Sequence, residues 1–198
     1  MAYNIPSKQT SIEKTIKKSR FIATCSHIAS AKEAKVFHDS IKTIHKTASH
    51  NCFAYVAGPA GSQIQNGISD DGEPKGTAGY PMLNVLLHSG VGEIAVVVTR
   101  YYGGEKLGTG GLVRAYSGVV KALLKILPVR RKVTGVTLNL ILDYKNISIV
   151  KTVTASVEGE VLEETFTDKV TITVLVPDDS ESDFRDKLPF DVEIISPE

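Results

Sequence analysis

The spacing of apolar residues divides the chain into short alternating strands and amphipathic helices. Thr10 to Lys17 and Arg20 to Ser26 alternate with period two and predict two strands separated by the polar Lys17-Lys18-Ser19 turn. A helix is expected next, because Ser30 and Glu33 form a capping-box pair and Ala34, Phe37, Ile41 and Ile44 share one face; it should end near Ala48. His50 to Ala57 reads as a strand, Gly58 to Gly61 as a turn and Ser62 to Ile68 as the hairpin partner. Ser69 to Gly79 has no periodicity and reads as a loop. Tyr80 to His88 then predicts a short helix that buries Met82, Leu83, Leu86 and Leu87, with Pro81 in its first turn.

Ile94 to Thr99 is a continuous apolar, β-branched run, the pattern of a central strand covered on both faces. Beyond a glycine-rich stretch, Leu112, Tyr116, Val119, Val120, Leu123, Leu124 and Leu127 follow helical spacing until Pro128 stops them. Pro128 to Lys132 reads as a boundary, dividing the chain into domains 1–130 and 131–198. The second part predicts a strand (Val133 to Leu142), a helix (Tyr144 to Val157), two strands (Glu160 to Phe166, Val170 to Val176), a helix (Ser180 to Lys187) and a strand (Val192 to Ile195). That is the βαββαβ order of a ferredoxin-like domain, and the fold class is α+β. In Val170 to Val176 the alternate residues Thr171, Thr173 and Leu175 leave one sheet face half polar, open either to water or to RNA or protein.

Composition narrows the setting. The chain has 198 residues, 42% of them hydrophobic and 23% charged, as in an ordinary globular protein. No apolar run reaches the roughly 20 residues of a membrane helix, and the start, Met1 to Pro6, has no secretory pattern, so a cytoplasmic protein without membrane contact is expected. Cys25 and Cys52 lie in apolar stretches without metal-like or CxxC spacing and read as buried reduced thiols. The net charge of +1 supplies no global attraction to nucleic acid, so binding of that kind must come from local patches. Basic residues gather at Lys14, Lys17, Lys18 and Arg20, and again at Lys121, Lys125, Arg130, Arg131 and Lys132, against an acidic loop at Asp70, Asp71 and Glu73 and an acidic tail from Asp178 to Glu198. Each run also suits a solvated face.

The densest chemistry lies between Arg100 and Arg114. Gly103, Gly104, Gly108, Gly110 and Gly111 let the backbone turn where side chains would clash, and amides ahead of the following helix can face an anion. Arg114, Gly118, Lys121 and Lys125 then fall on one helix face, which fits a track for RNA phosphates, or simply a wet surface above glycines that allow close packing. No GK[ST] and no GxGxxG between a first strand and helix are present, so ATP, NAD and other cofactors are not implied.

Asp70, Asp71 and Glu73 repel one another unless a cation, an arginine or helix-terminal amides neutralise them. The spacing lacks the separated ligands of an EF-hand, which favours an internal pair with Arg100 or Arg114 over a metal. His50, beside these loops, shows no partner in sequence, so no catalytic residue is assigned. His27, His38, His45 and His88 read as surface or helix-face residues, with His38 and His45 spaced too widely for an i, i+4 metal pair. The alternative is a hydrolase in which Asp70, Asp71, Glu73 and His50 hold a divalent cation that activates water.

Three ordered motifs, His50 to Tyr55, Asp70 to Gly79 and Val98 to Gly104 continuing through Gly111 to Tyr116, resemble the signature of the IMPACT/YigZ family across about Thr10 to Leu127. The resemblance implies an N-terminal ribosomal-protein-like, left-handed βαβ domain, against the usual handedness, followed by a ferredoxin-like domain similar to the last domain of elongation factor G. It implies translation control. Eukaryotic members counter a starvation-responsive kinase by competing for its ribosome-bound activator, and two-domain bacterial-type members are associated with nucleic acid or ribosomes. The sequence shows no counterpart of the extra N-terminal interaction domain of the eukaryotic proteins, which counts against the kinase role. The expected partner is RNA, the ribosome or a ribosome-associated protein, bound by a monomer. The expected binding face comprises His50, Asp70, Glu73, Thr77, Arg100, Gly103, Gly104, Lys106, Gly108, Gly110, Gly111, Arg114 and Lys121.

Overall fold

The computed structural model describes residues 2–195; the end of the acidic tail lies outside them. The chain forms two compact units, one spanning Tyr3–Arg131 and the other built from Ala2 and the chain from Lys132 onward.

In the larger unit, β2 (Thr10–Ile16), β3 (Ser19–His27), β4 (His50–Val56), β5 (Asn66–Ser69) and β6 (Ile94–Tyr101) form one sheet in the order β2-β3-β6-β4-β5. Both β3 and β4 pair antiparallel with β6, so they run parallel to each other on its two sides, and α1 (Ala31–Ile44) joins them. Period-two alternation sorts the side chains. Phe21, Ala23 and Cys25 of β3, Cys52, Ala54 and Val56 of β4, and Ile94, Val96 and Val98 of β6 pack under α2 (Gly79–Leu87) and α3 (Thr109–Ile126). Phe53 of β4 and Ala95 and Val97 of β6 pack under α1 on the opposite face. The central strand is therefore β6, buried on both faces as its unbroken apolar run requires. The expected cap of α1 forms: Ser30 Oγ accepts the Glu33 amide at 3.2 Å, while Glu33 Oε2 accepts the Ala29 amide at 2.9 Å.

Several elements differ from the sequence reading. Ala2–Pro6 is a strand (β1), and its partner is β7 (Val129–Val133), in the stretch expected to be only a separator. Tyr3 and Ile5 are buried at the two alternate positions of this short strand, too few to register as a pattern. The hairpin partner of β4 is shorter than expected, since Ser62–Gln65 stays outside the sheet and pairing covers only Asn66–Ser69. Helix α1 stops at Ile44, and β6 runs two residues further than expected, which brings Arg100 inside the sheet.

The second unit is the expected βαββαβ arrangement. Here β8 (Gly135–Leu142), β9 (Glu160–Phe166), β10 (Val170–Pro177) and β11 (Glu193–Ile195) lie in the order β11-β8-β10-β9, with α4 (Ile147–Ser156) and α5 (Glu181–Lys187) as connections. Its core joins Leu138, Leu140 and Leu142 to Ile172, Val174, Val150 and Phe184. Among the described residues, no helix is long and apolar enough to cross a membrane.

Candidate functional site

The site grows from the row of side chains on the α3 side of the sheet. On β6 that row reads Ile94, Val96, Val98 and then Arg100; His50 of β4 and Phe21 of β3 stand opposite Arg100 in register. Alternation thus places a guanidinium where the next core residue would be, and only 5% of Arg100 is exposed. A charge there requires partners. Glu73 Oε1 accepts from Arg100 Nη1 at 2.6 Å and from the Tyr116 hydroxyl at 2.8 Å, and Ser19 Oγ lies 3.3 Å from Arg100 Nη2. Phe21 and Tyr102 present ring faces to the guanidinium carbon at 5.4 and 5.5 Å. Arg100 Nε has no hydrogen-bond partner among the described residues.

The acidic loop is an internal scaffold. Asp70 accepts the amides of Ala78, Gly79 and Gly76, and so caps the start of α2. Burial would raise its carboxyl, but these three amides outweigh that and hold it below the usual carboxylate range. Asp71 bonds Lys42 Nζ at 2.8 Å and the Asn51 amide at 2.6 Å; against the opposing effect of burial, these contacts also lower its pKa. Thr77 donates to Pro74 O and closes the turn between them. The three carboxylates thus diverge: Glu73 takes the expected arginine, Asp71 a lysine and Asp70 backbone amides. Among the described residues, no three His, Cys, Asp or Glu side chains are grouped to hold a metal ion. The alternative hydrolase site loses its geometric basis through that divergence.

His50 is more closely held than the sequence suggests. Its Nδ1 donates to Asp71 O at 2.9 Å, which leaves Nε2 directed elsewhere, 3.9 Å from Glu73 Oε2. Cys52, two residues on, places its thiol 3.0 Å from Asp70 O and 3.2 Å from the Tyr116 oxygen. Burial raises the pKa of both the Cys52 thiol and the Tyr116 hydroxyl, keeping them protonated. Cys25 is likewise buried, its thiol pushed up to about 11 by desolvation, and both cysteines are unpaired. Three of the other histidines are engaged rather than merely superficial. His38 stacks on Phe53 and contacts Asn51 O, His45 meets the Tyr101 hydroxyl, and His27 meets Glu93 at 2.7 Å.

The glycine-rich segment divides into two parts. Its first amides are consumed internally, Tyr102 N–H by Ser49 Oγ and Gly103 N–H by Ser19 Oγ. Gly103 lies so close to the β2–β3 turn that a β-carbon would overlap the Lys18 carbonyl. The second part is open. Gly108, at φ 71°, precedes α3, whose first backbone bond runs from Leu112 N–H to Gly108 O. The amides of Thr109, Gly110 and Gly111 therefore have no partner among the described residues.

A cavity of about 430 Å³ opens at this helix start, bounded by His50, Glu73, Arg100, Tyr102, Lys106 and Thr109 and completed by Pro74, Leu107, Gly108 and Leu112. It gathers five of the residues expected to form the binding face: His50, Glu73, Arg100, Lys106 and Gly108. Asp70 and Thr77 support it from behind, and Gly104 turns the chain on the way to it at φ 86°. Arg114 and Lys121 are not part of it. Arg114 borders a separate hollow with Ile16 and Lys17, and Lys121 another with His88 and Lys125. Sequence spacing does not single out Ser19, Tyr102, Thr109 or Tyr116 as site residues. Tyr116 counts as an ordinary core position by spacing, and only the partner of its hydroxyl reveals more.

The Impact N-terminal domain family matches residues 17–124, and a domain of unknown function, DUF1949, matches residues 140–189. The IMPACT family member YigZ of Escherichia coli (strain K12) is 41% identical over 184 residues, covering 93% of this chain and 90% of that protein. An IMPACT family member of Haemophilus influenzae is 44% identical over 164 residues, covering 83% of this chain and 80% of that protein. A crystal structure described as that of a hypothetical protein matches with a TM-score of 0.67 at 38% identity, covering 100% of this chain and 98% of the other. By sequence match over nearly its whole length and by the shared two-unit fold, this chain belongs to the IMPACT family.

Proposed function

We propose that this chain is a translation regulator that binds RNA or the ribosome through the surface where α3 begins. One observation carries the reading: three unpartnered amides at the start of an 18-residue helix open beside a cavity walled by Arg100 and Lys106. Unpaired amides aligned with the helix dipole favour an anion, and a nearby cation adds a charge-assisted contact. Along the same helix Arg114, Lys121 and Lys125 are exposed and have no ion-pair partner among the described residues. Arg114 and Lys121 stand about 10 Å apart along the axis by helical rise, a spacing suited to contacts with separate phosphates. Family membership supplies the biological setting, since the IMPACT resemblance implies translation control.

Co-sedimentation with ribosomes across a salt series tests the proposal. Wild-type protein should pellet with ribosomes at low salt and dissociate as salt rises. The double variant Arg114→Ala/Lys121→Ala should bind more weakly, with a salt slope reduced by about 0.7–0.9 for each phosphate that is no longer neutralised. Both residues are exposed, so the fold should survive. Binding without salt dependence, or no binding at low salt, would overturn the proposal.

A further inference from the structure

The cavity at the start of α3 offers more than an anion requires. Its volume of about 430 Å³ is that of a small-molecule site and far exceeds what one phosphate fills. Its polar groups are also of two kinds. At one side stand Lys106, without an ion-pair partner among the described residues, and Thr109, whose amide and hydroxyl lack partners among them. At the other stand Glu73 and His50. Glu73 spends Oε1 on Arg100 and Tyr116 and leaves Oε2 without a hydrogen bond. His50 spends its Nδ1 proton on Asp71 O and places Nε2 3.9 Å from Glu73 Oε2. Two vicinal hydroxyls, one for each group, suit this side, and the Glu73 carboxylate repels a phosphate from it.

Arg100 adds an observation independent of the helix start. Its side chain is 6% exposed and forms part of the cavity wall, yet its Nε has no partner among the described residues. A buried donor left unpaired calls for an explanation, and a water or ligand group seated beside Arg100 would supply one. The remaining wall is flat and apolar: Tyr102, 48% exposed, faces the cavity together with Leu107 and Leu112. An aromatic ring left half uncovered beside cations is a stacking platform for a base.

Resting on the RNA-binding reading above, we propose that this cavity takes a single ribonucleotide: phosphate at Lys106 and Thr109, the two sugar hydroxyls at Glu73 and His50, base against Tyr102. The same chemistry is presented by a free nucleoside monophosphate and by the phosphorylated end of an RNA. Stacking reads no particular base, so affinity should vary little among the four.

Titration calorimetry on the full chain tests this with adenosine 5′-monophosphate, its 2′,3′-dideoxy analogue, adenosine, inorganic phosphate, and a short oligoribonucleotide with and without a 5′-phosphate. Adenosine 5′-monophosphate should bind saturably, and adenosine, phosphate and the dideoxy analogue should each bind about tenfold more weakly or worse. Lys106→Ala and Tyr102→Ala, both at the cavity rim and away from the core, should each weaken binding about tenfold, within the range for removing one stacking ring or one cationic partner. Tighter binding of the phosphorylated oligomer than of its unphosphorylated form supports an RNA end; monophosphate binding with neither oligomer bound supports a free nucleotide. No binding of adenosine 5′-monophosphate at millimolar concentration, or binding indifferent to both variants, overturns the proposal. Ribosome co-sedimentation that depends on Arg114 and Lys121 but is accompanied by no mononucleotide binding overturns this inference alone. Mononucleotide binding without salt-dependent ribosome association overturns the translational reading and leaves the cavity assignment standing.

Discussion

The two units treat the covered face of a sheet in opposite ways. In the four-stranded sheet the rows under the helices are apolar: Leu138, Leu140 and Leu142 on β8, Val170, Ile172 and Val174 on β10. The polar residues of β8 and β10 stay on the other face, where Thr173 bonds Asn139 across the strands, and on the edge strand β9 Glu164, opposite Ile172, pairs with Lys151 of α4. In the five-stranded sheet the equivalent rows begin apolar and finish in Ser19, His50 and Arg100. Charge written into the end of a core row has to be met by groups from distant parts of the chain. Glu73 lies 27 positions from Arg100 and Ser19 lies 81. Polar chemistry is thereby concentrated in one unit: the second spends its strands on packing, whereas the first ends them in a preorganised cluster beside a cavity.

Substitutions can test this contrast, and the largest effect should come from Glu73→Ala. Removing one partner of a buried pair leaves Arg100 uncompensated, and a loss of about 3–5 kcal/mol is expected in urea unfolding of the full chain. A loss below about 1 kcal/mol would mean that water already serves Arg100. Next comes Gly103→Ala, which forces the loop off the Lys18 carbonyl; overpacking of this kind costs about 1–3 kcal/mol. The same midpoint measurement checks it.

Asp70→Ala probes the polar cluster through pH. The loss of the cap on α2 should cost about 0.5–2 kcal/mol at neutral pH. The Asp70 carboxyl is lowered in the folded protein, so its contribution is present in full above the unfolded value of about 4 and fades as pH falls through the folded one. The gap between wild type and variant should therefore close in acid, and a gap unchanged from neutral pH to below about 3 would contradict the capping role. The smallest effect belongs to the second unit: Thr171→Ala, on the half-polar face, should stay within about 0.5 kcal/mol. A larger loss would show that this face is packed rather than open.

The architecture was legible where one physical rule dominates. Burial on both faces made β6 readable from an unbroken β-branched run, and the Ser30–Glu33 pair announced α1 because the cap is local. The site was legible only in part. The motifs around His50, Glu73, Arg100 and Lys106 pointed to residues that meet at one cavity, whereas Arg114 and Lys121 share their helix but not that cavity. Helical spacing reports which residues share a face, not which loop folds over it. The role of Gly103 was hidden for the same reason: its neighbour, the Lys18 carbonyl, is 85 residues away. Tyr116 was hidden because a hydroxyl on a core-facing ring leaves no trace in apolar periodicity.

The pairing of β1 with β7 bears on synthesis. Asn4 bridges to Val91 and accepts the Gly92 amide, and Ser7 donates to the carbonyl of Pro128, 121 positions later, so these residues find their neighbours only after a long stretch of the larger unit has left the ribosome. Until then Tyr3 and Ile5 travel uncovered, which leaves this stretch open to chaperones and proteases during synthesis.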